Sequence, residues 1–156
     1  MNYLSAGLLP GEPGIYPTKE EILAERPKFR WGVFKAISDW KTAHYRGWAA
    51  RGDEERFEAC QALVNAICSV YGVPKAVISQ WDDRVDAYRD GIITLTKPSI
   101  ITALHELGHH LFGPSELHAC RFSVWIYQLR FSTALTKLVW NGHLLQEPPS
   151  QESVRS

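Results

Sequence analysis

The stretch SIITALHELGHHLFGPSELH occupies residues 99–118 of the chain. Ser99 can cap a helix over 100–112 by accepting a hydrogen bond from a free backbone N–H group, and Gly113-Pro114 can end that helix. Gly108 lowers helix stability relative to alanine, and its expected benefit is the close approach of a neighbouring strand. Four apolar residues recur at helical spacing and can bury against a core: Ile100, Leu104, Leu107 and Leu111. The stretch therefore predicts an amphipathic helix that stops abruptly before a second helix.

Within this helix, residues 105–109 form an H-E-x-x-H pattern. Positions i and i+4 lie one turn apart on one face, so the imidazoles of His105 and His109 can reach one metal ion. Glu106 is displaced by about 100° around the helix axis, which takes it off the metal but within reach of a water that the metal holds. Zinc lowers the pKa of such a water, and a carboxylate beside it can accept the proton. The pattern predicts a zinc site with Glu106 as general base.

A zinc site of this kind needs a third protein ligand. The break at Gly113-Pro114 allows the chain to reverse, so that the first turn of the next helix, capped by Ser115, faces the metal. Glu116 would lie in that first turn, where a carboxylate also suits the helix dipole. His118 lies about 200° further round the helix, so both side chains cannot point at one ion. We expect Glu116 to be the third ligand, with His118 as the alternative.

Two helices are predicted upstream of the motif. Pro27 can occupy the first position of a helix that reaches about Arg51, and Asp53 can cap a second helix over 54–71, which Gly72 ends. The first helix carries these residues at helical spacing: Val33, Ile37, Trp40, His44 and Trp48. The second carries its own apolar stripe: Phe57, Cys60, Val64, Ile67 and Tyr71. We interpret both helices as core scaffold.

Two or three short strands are predicted between these helices and the motif. Residues 76–78 are Ala-Val-Ile, and residues 91–96 contain β-branched side chains in a run of strand length. Asp90-Gly91 is a dipeptide typical of hairpins. The aspartates at 82, 83, 86 and 90 do not have the spacing of an EF-hand calcium loop and are interpreted as a solvated turn.

The two ends of the chain are expected to lie outside the folded unit. Residues 1–26 contain three prolines and predict an irregular arm, with a short helical turn over 19–25. The arm is interpreted as a disordered or surface-wrapping tail, and the alternative is a segment that covers a cleft in the manner of a pro-peptide. A single domain is expected over 27–140, with its last helix reaching about Trp140, followed by a flexible tail over 141–156. Apolar residues cover more than one face of that last helix, which indicates either burial on two sides or a dimer contact. We favour burial within the monomer, and the oligomeric state stays open.

The composition is that of one globular domain. The chain has 156 residues, of which 45% are hydrophobic, enough to form one core. Its 17 Lys and Arg balance 17 Asp and Glu, so no nucleic-acid partner is predicted, because such a partner requires excess positive charge. The absence of a signal peptide and of a run of about 20 apolar residues predicts a cytoplasmic protein without membrane association. Cys60, Cys68 and Cys120 form no C-x-x-C pair and are interpreted as buried thiols.

Residues 90–131 resemble the gluzincin metallopeptidases, and especially the ImmA/IrrE-like family of phage and mobile-element regulators. That family shows a glycine-led strand, an HELGH helix, and a helix with the pattern E-x-x-A-N/D-x-F-A. The matching stretches here are 91–95, 103–109 and 116–123. Cys120 stands where the pattern has asparagine or aspartate, a residue that can hydrogen-bond a histidine ligand.

The resemblance implies a minimal zincin-like fold of the α+β class. We therefore expect a small mixed sheet packed on the active-site helix, with additional N-terminal helices and a long C-terminal helix. Strand 91–96 is expected to be the edge strand that borders the cleft, with a substrate peptide extended along it. The leading glutamate of the family pattern is the third metal ligand, which corresponds to Glu116.

The resulting hypothesis is a zinc metalloendopeptidase that acts on a protein or peptide, for instance one regulatory protein. Two alternatives stay open: a catalytically inactive, zinc-stabilised structural or binding module, such as a phage or mobile-element component, and a metal-free helical interaction protein. His118, Arg121 and Tyr127 are candidates for stabilising the oxyanion. His110 can border the cleft or serve as a polar surface residue.

Overall fold

The computed structural model describes residues 16–80, 86–131, 139–141 and 144–146. The described residues form helices and a small three-stranded sheet, so the chain has the α+β class that the sequence predicted. In chain order the elements are α1 (Lys19–Ala24), α2 (Val33–Trp40), α3 (Asp53–Tyr71), β1 (Val77–Gln80), β2 (Ala87–Arg89), β3 (Ile92–Leu95), α4 (Ile100–Phe112), α5 (Glu116–Arg130), β4 (Val139–Asn141) and β5 (Leu144–Gln146).

The sheet has the strand order β1-β3-β2. Strand β3 pairs in parallel with β1 and antiparallel with β2, so the sheet is mixed, as expected. The prediction that strand 91–96 lies at the edge is wrong, because β3 is the central strand. Asp90 and Gly91 both have positive φ, 49° and 83°, and form the tight hairpin that folds β2 back along β3. The edge strand on this side is therefore β2, whose three residues the sequence analysis assigned to a solvated turn.

The first predicted helix is shorter than expected. It begins at Val33 rather than Pro27, because Gly32 precedes it with a left-handed φ of 95°. The α-helix ends at Trp40 and a single π-helical turn follows. Gly47, with φ of 68°, then ends the helical stretch before the predicted end at Arg51. A side-chain hydrogen bond from Trp40 Nε1 to the Ala59 carbonyl oxygen (2.7 Å) then ties α2 to α3.

Helix α3 matches its predicted bounds closely. Gly52 takes the N-cap position instead of Asp53, and Gly72 ends the helix in the left-handed conformation (φ 65°), as expected. The buried face of α3 packs against α2 and α4. Cys60 and Cys68 on this helix are buried thiols outside any disulfide, as is Cys120 on α5, which confirms the interpretation of all three.

Helices α4 and α5 pack against one another along most of their length. Gly108 permits this approach, because a Cβ added there would lie 2.9 Å from the Ala119 Cα. The neighbour is thus a helix rather than the strand that the sequence analysis expected. The predicted apolar stripe of α4 is buried at Ile100, Leu104 and Leu107.

The chain beyond α5 also differs from the prediction. Helix α5 ends at Arg130 rather than about Trp140, and Trp140 lies in β4, which pairs antiparallel with β5. Of the flexible tail expected over 141–156, residues 141 and 144–146 lie in strands, and residues 142–143 and 147–156 lie outside the described part. The sequence does carry a hairpin signal here, Asn141-Gly142 after an apolar pair. Residues 119–131 of α5 and its cap are all buried or half-buried, mainly against α4, α1 and α2.

No helix in the described ranges combines the length and the apolar character that crossing a membrane requires.

Candidate metal centre

Two capped helices and the break between them position the candidate site. Ser99 Oγ accepts the Thr102 N–H at the start of α4, and Ser115 Oγ accepts the His118 N–H at the start of α5. Gly113 ends α4 with φ of 96°, a conformation that glycine adopts without strain. The chain reverses there, so the first residue of α5 returns to the face of α4 that carries the histidines. The predicted bounds and caps of α4 are confirmed.

The structure brings His105, His109 and Glu116 together. Glu116 Oε1 lies 3.0 Å from His105 Nε2 and 3.2 Å from His109 Nε2. One potential ligand atom from each residue falls within 4.8 Å of the other two. The side chains are 14%, 11% and 9% exposed, respectively. This buried group can hold a metal ion, since three donor atoms converge on one point.

The charge states of the group suit a cation. Burial raises the pKa of Glu116, but the hydrogen bonds and charges of the two imidazoles outweigh burial and lower it to about 2. Burial lowers the pKa of both histidines, but other contacts outweigh it. Hydrogen bonds with Cys120 and Glu116 leave the pKa of His105 raised, and the hydrogen bond and charge of Glu116 leave the pKa of His109 raised. The carboxylate is therefore ionised, and a bound cation would replace the imidazole protons as its partner.

Each imidazole is oriented through its other nitrogen. His109 Nδ1 lies 2.9 Å from the Gly113 carbonyl oxygen, which can only accept, so Nδ1 carries the proton and leaves the Nε2 lone pair for a metal. His105 Nδ1 lies 3.7 Å from Cys120 Sγ. The cysteine therefore contacts the histidine from the position where the family pattern has asparagine or aspartate.

Glu106 lies beside the group without joining it. Its side chain is buried and faces the same cleft as His105, His109 and Glu116. Burial raises its pKa, against the lowering effect of the two imidazoles. A carboxyl group with a raised pKa next to a metal position is suited to accepting and returning a proton.

The cleft above this group has a volume of about 390 Å³. Its lining includes β2 with its hairpin turn, Gly113-Pro114 and Tyr16. β2 takes the place along the cleft that the sequence analysis gave to strand 91–96. Tyr16 belongs to the N-terminal arm, for which the sequence left open a segment that covers a cleft, although nothing in the sequence singled out this residue.

His110 of α4 contacts β2 through a hydrogen bond with Tyr88. Its Nε2–H donates to the Pro74 carbonyl oxygen at 2.7 Å, and its Nδ1 accepts from the Tyr88 hydroxyl at 2.8 Å. The same hydroxyl accepts the Gly91 N–H at 2.9 Å. The sequence left open whether His110 borders the cleft or is a polar surface residue. The structure places it outside the cleft lining, where its hydrogen bonds hold Tyr88 of β2 and the Pro74 carbonyl group.

Other candidates from the sequence lie away from the cleft. His118, the alternative third ligand, is exposed and outside the His-His-Glu group. Arg121 donates to the Glu21 carbonyl oxygen at 2.8 Å, and Tyr127 is buried and stacked on Phe131. None of these three residues lines the cleft, so none contacts the position where an oxyanion would form.

Known proteins provide no further guide to this site. Comparison with protein-family models, with curated proteins and with solved structures finds no match to the chain.

Proposed function

We propose that the protein is a zinc-dependent peptidase of the gluzincin type. His105, His109 and Glu116 bind the metal in this proposal, and Glu106 is the general base. The observation that carries it is the contact of Glu116 Oε1 with both Nε2 atoms, at 3.0 and 3.2 Å, on the floor of an open cleft. The resemblance of residues 90–131 to gluzincins supports the same assignment.

The donor set fits zinc. Two imidazole nitrogens and one carboxylate are a ligand combination of catalytic zinc sites, which keep a fourth position open. When bound, zinc polarises a carbonyl group and lowers the pKa of a coordinated water toward neutrality. A purely structural zinc site is closed by four protein ligands, whereas the cleft of about 390 Å³ leaves this group accessible.

Glu106 would carry the proton through the hydrolysis. As the water oxygen bonds to the carbonyl carbon, its proton passes to the Glu106 carboxylate, and the π electrons move to the carbonyl oxygen. The tetrahedral carbon then expels the amine, the C–N bond breaks, and Glu106 returns its proton to the amine nitrogen. One water is consumed, and one carboxyl and one amino group are formed.

The substrate is proposed to be an extended peptide. β2 is one of the two edge strands of the three-stranded sheet, and it lines the cleft. A peptide can add to such an edge through main-chain hydrogen bonds, which places its carbonyl groups in a regular row. This gives β2 the role that the sequence analysis assigned to strand 91–96.

Metal analysis combined with the Glu106→Gln variant tests the proposal. The wild-type protein should bind one zinc and cleave members of a peptide library, and the variant should keep zinc while its kcat falls by about 10²–10⁴. Glu58→Gln on the exposed side of α3 is the matched control and should cleave normally. Zinc without turnover would favour the structural module, and the absence of zinc would favour the metal-free interaction protein.

A further inference from the structure

Tyr16 reaches the metal centre from a distant part of the sequence. It precedes α1, yet it lines the same cleft as His105, Glu106 and Glu116. Its side chain is 46% exposed, so it contacts both the protein and the open space of the cleft.

Helix α1 fixes the position of this tyrosine. A capping box between Thr18 and Glu21 starts the helix directly after Pro17, which is buried. Ile22 is fully buried in the protein. The segment that carries Tyr16 is thus held by a defined helix start and an apolar anchor.

The anchor of α1 is the helix that supplies the third proposed ligand. Trp125 Nε1 donates to the Ile22 carbonyl oxygen at 3.0 Å, and Arg121 Nη2 donates to the Glu21 carbonyl oxygen at 2.8 Å. Both donors belong to α5, whose first residue is Glu116. One helix therefore sets the positions of Tyr16 and of the metal ligand relative to one another.

The Tyr16 hydroxyl can serve as a donor. The ordinary pKa of a tyrosine hydroxyl is about 10, so this group carries its proton at neutral pH and can donate a hydrogen bond. Peptide hydrolysis needs such a donor where the carbonyl oxygen gains negative charge, and His118, Arg121 and Tyr127 do not line the cleft.

We infer that Tyr16 is a catalytic residue that donates a hydrogen bond to the carbonyl oxygen of the scissile peptide. Trp125 and Arg121 are then positioning residues, which act by holding α1 on α5. The inference rests on the proposed function, and it makes α1 a part of the active centre. Loss of one preorganised donor to an oxyanion lowers kcat by about 10²–10³, which sets the size of the expected effect.

The test compares the zinc-loaded full chain with its Tyr16→Phe variant. We expect kcat to fall by about 10²–10³, with KM and zinc affinity nearly unchanged. Binding of a peptide phosphonate, whose tetrahedral oxygens carry negative charge, should weaken by a similar factor in calorimetry. Tyr71→Phe is the matched control, because its hydroxyl accepts the Arg30 N–H at 3.2 Å and does not line the cleft.

A second variant, Trp125→Phe, removes the donor to the Ile22 carbonyl oxygen while it keeps an aromatic side chain. It should lower kcat and phosphonate affinity in the same direction as Tyr16→Phe, but by a smaller factor. Equal phosphonate affinity in wild type and Tyr16→Phe, absence of phosphonate binding, or faster cleavage by Tyr16→Phe would each overturn the inference. Absence of peptide cleavage by the wild type would contradict the peptidase proposal. The phosphonate comparison tests the role of Tyr16 separately, because binding is measured without turnover.

Discussion

Gly108 of α4 and Ala119 of α5 approach so closely that a Cβ on Gly108 would lie 2.9 Å from the Ala119 Cα. Gly108 directly precedes His109, and Ala119 lies one turn beyond Glu116. The separation of the two helices at this contact therefore governs how far the Glu116 carboxylate lies from the imidazoles. Backbone packing, in addition to side-chain rotamers, sets the geometry of the site.

The Gly108→Ala variant should accordingly be less stable and bind zinc more weakly. Helix propensity favours alanine by about 1 kcal/mol, but the added methyl group meets backbone atoms, and overpacking of this kind typically costs about 1–3 kcal/mol. Urea unfolding and zinc titration measure the two effects. Gly52→Ala is the control, because nothing lies within 4 Å of its added Cβ. Unchanged zinc affinity in Gly108→Ala would show that the helix separation does not control the ligand distances.

Removal of the Glu116 charge should show whether Glu116 or His118 is the third metal ligand. Glu116→Gln is expected to weaken zinc binding by more than roughly 10- to 100-fold, which is the usual loss when a residue that only hydrogen-bonds a metal ligand is removed. His118→Gln should bind zinc like the wild type, because His118 is exposed and outside the group. Zinc affinity measured by competition with a chromophoric chelator decides between them. The reverse order of effects would assign the metal to His118.

The Cys120→Ala variant should weaken zinc binding by about tenfold, since groups that support a histidine ligand usually contribute 10- to 100-fold. The reason is the 3.7 Å contact between Cys120 Sγ and His105 Nδ1, which orients the ring. Cys68→Ala also removes a buried thiol but lies on α3, so it should lose stability without losing zinc affinity. Equal zinc affinity in both variants would argue against a role for Cys120.

The metal-free protein should be most stable in weakly acidic solution. The pKa of Glu116 is lowered to about 2 from 4.5, so its contribution is complete above pH 4.5 and is lost as the pH falls toward 2. The pKa values of His105 and His109 are raised above 6.5, so their contribution is complete below pH 6.5 and is lost as the pH rises through the raised values. Thermal unfolding of chelator-treated protein should therefore show a Tm that declines on both sides of this window.

Zinc should remove the decline on the alkaline side, because the metal binds neutral imidazole and replaces the protons. Glu116→Gln, in the metal-free state, should weaken the dependence of Tm on pH at both ends. A metal-free wild type whose Tm rises between pH 6.5 and 8.5 would contradict the raised histidine pKa values.

Elements with local signals were predictable from the sequence. The bounds of α4 follow from Ser99 and the Gly113-Pro114 break, whose effects act within one helical turn. The meeting of His105, His109 and Glu116 follows from i, i+4 spacing and a short reversal of the chain. These features depend on neighbours in sequence, so pattern and geometry suffice to find them.

Features that depend on distant partners were not predictable. β3 is central because β1 and β2 approach it from both sides, and no periodicity within 91–96 encodes that order. Gly108 indicated close packing but could not indicate whether a helix or a strand would fill the space. Tyr16 reaches the cleft because α1 docks on α5, and a hydrogen bond from Trp125 to a backbone carbonyl has no signature in a single sequence.

The edge strand β2 has a consequence for selectivity. Three residues span about 10 Å of backbone, so a bound peptide would form main-chain hydrogen bonds over only a short segment. Asp86 and Asp90 flank the strand with exposed carboxylates, which oppose continuation of the sheet by a second copy of the chain. Such a short edge strand with charged ends would pair with one short extended segment of a substrate and not with a long β-strand. Substrate selectivity would then depend on the side chains closest to the scissile bond.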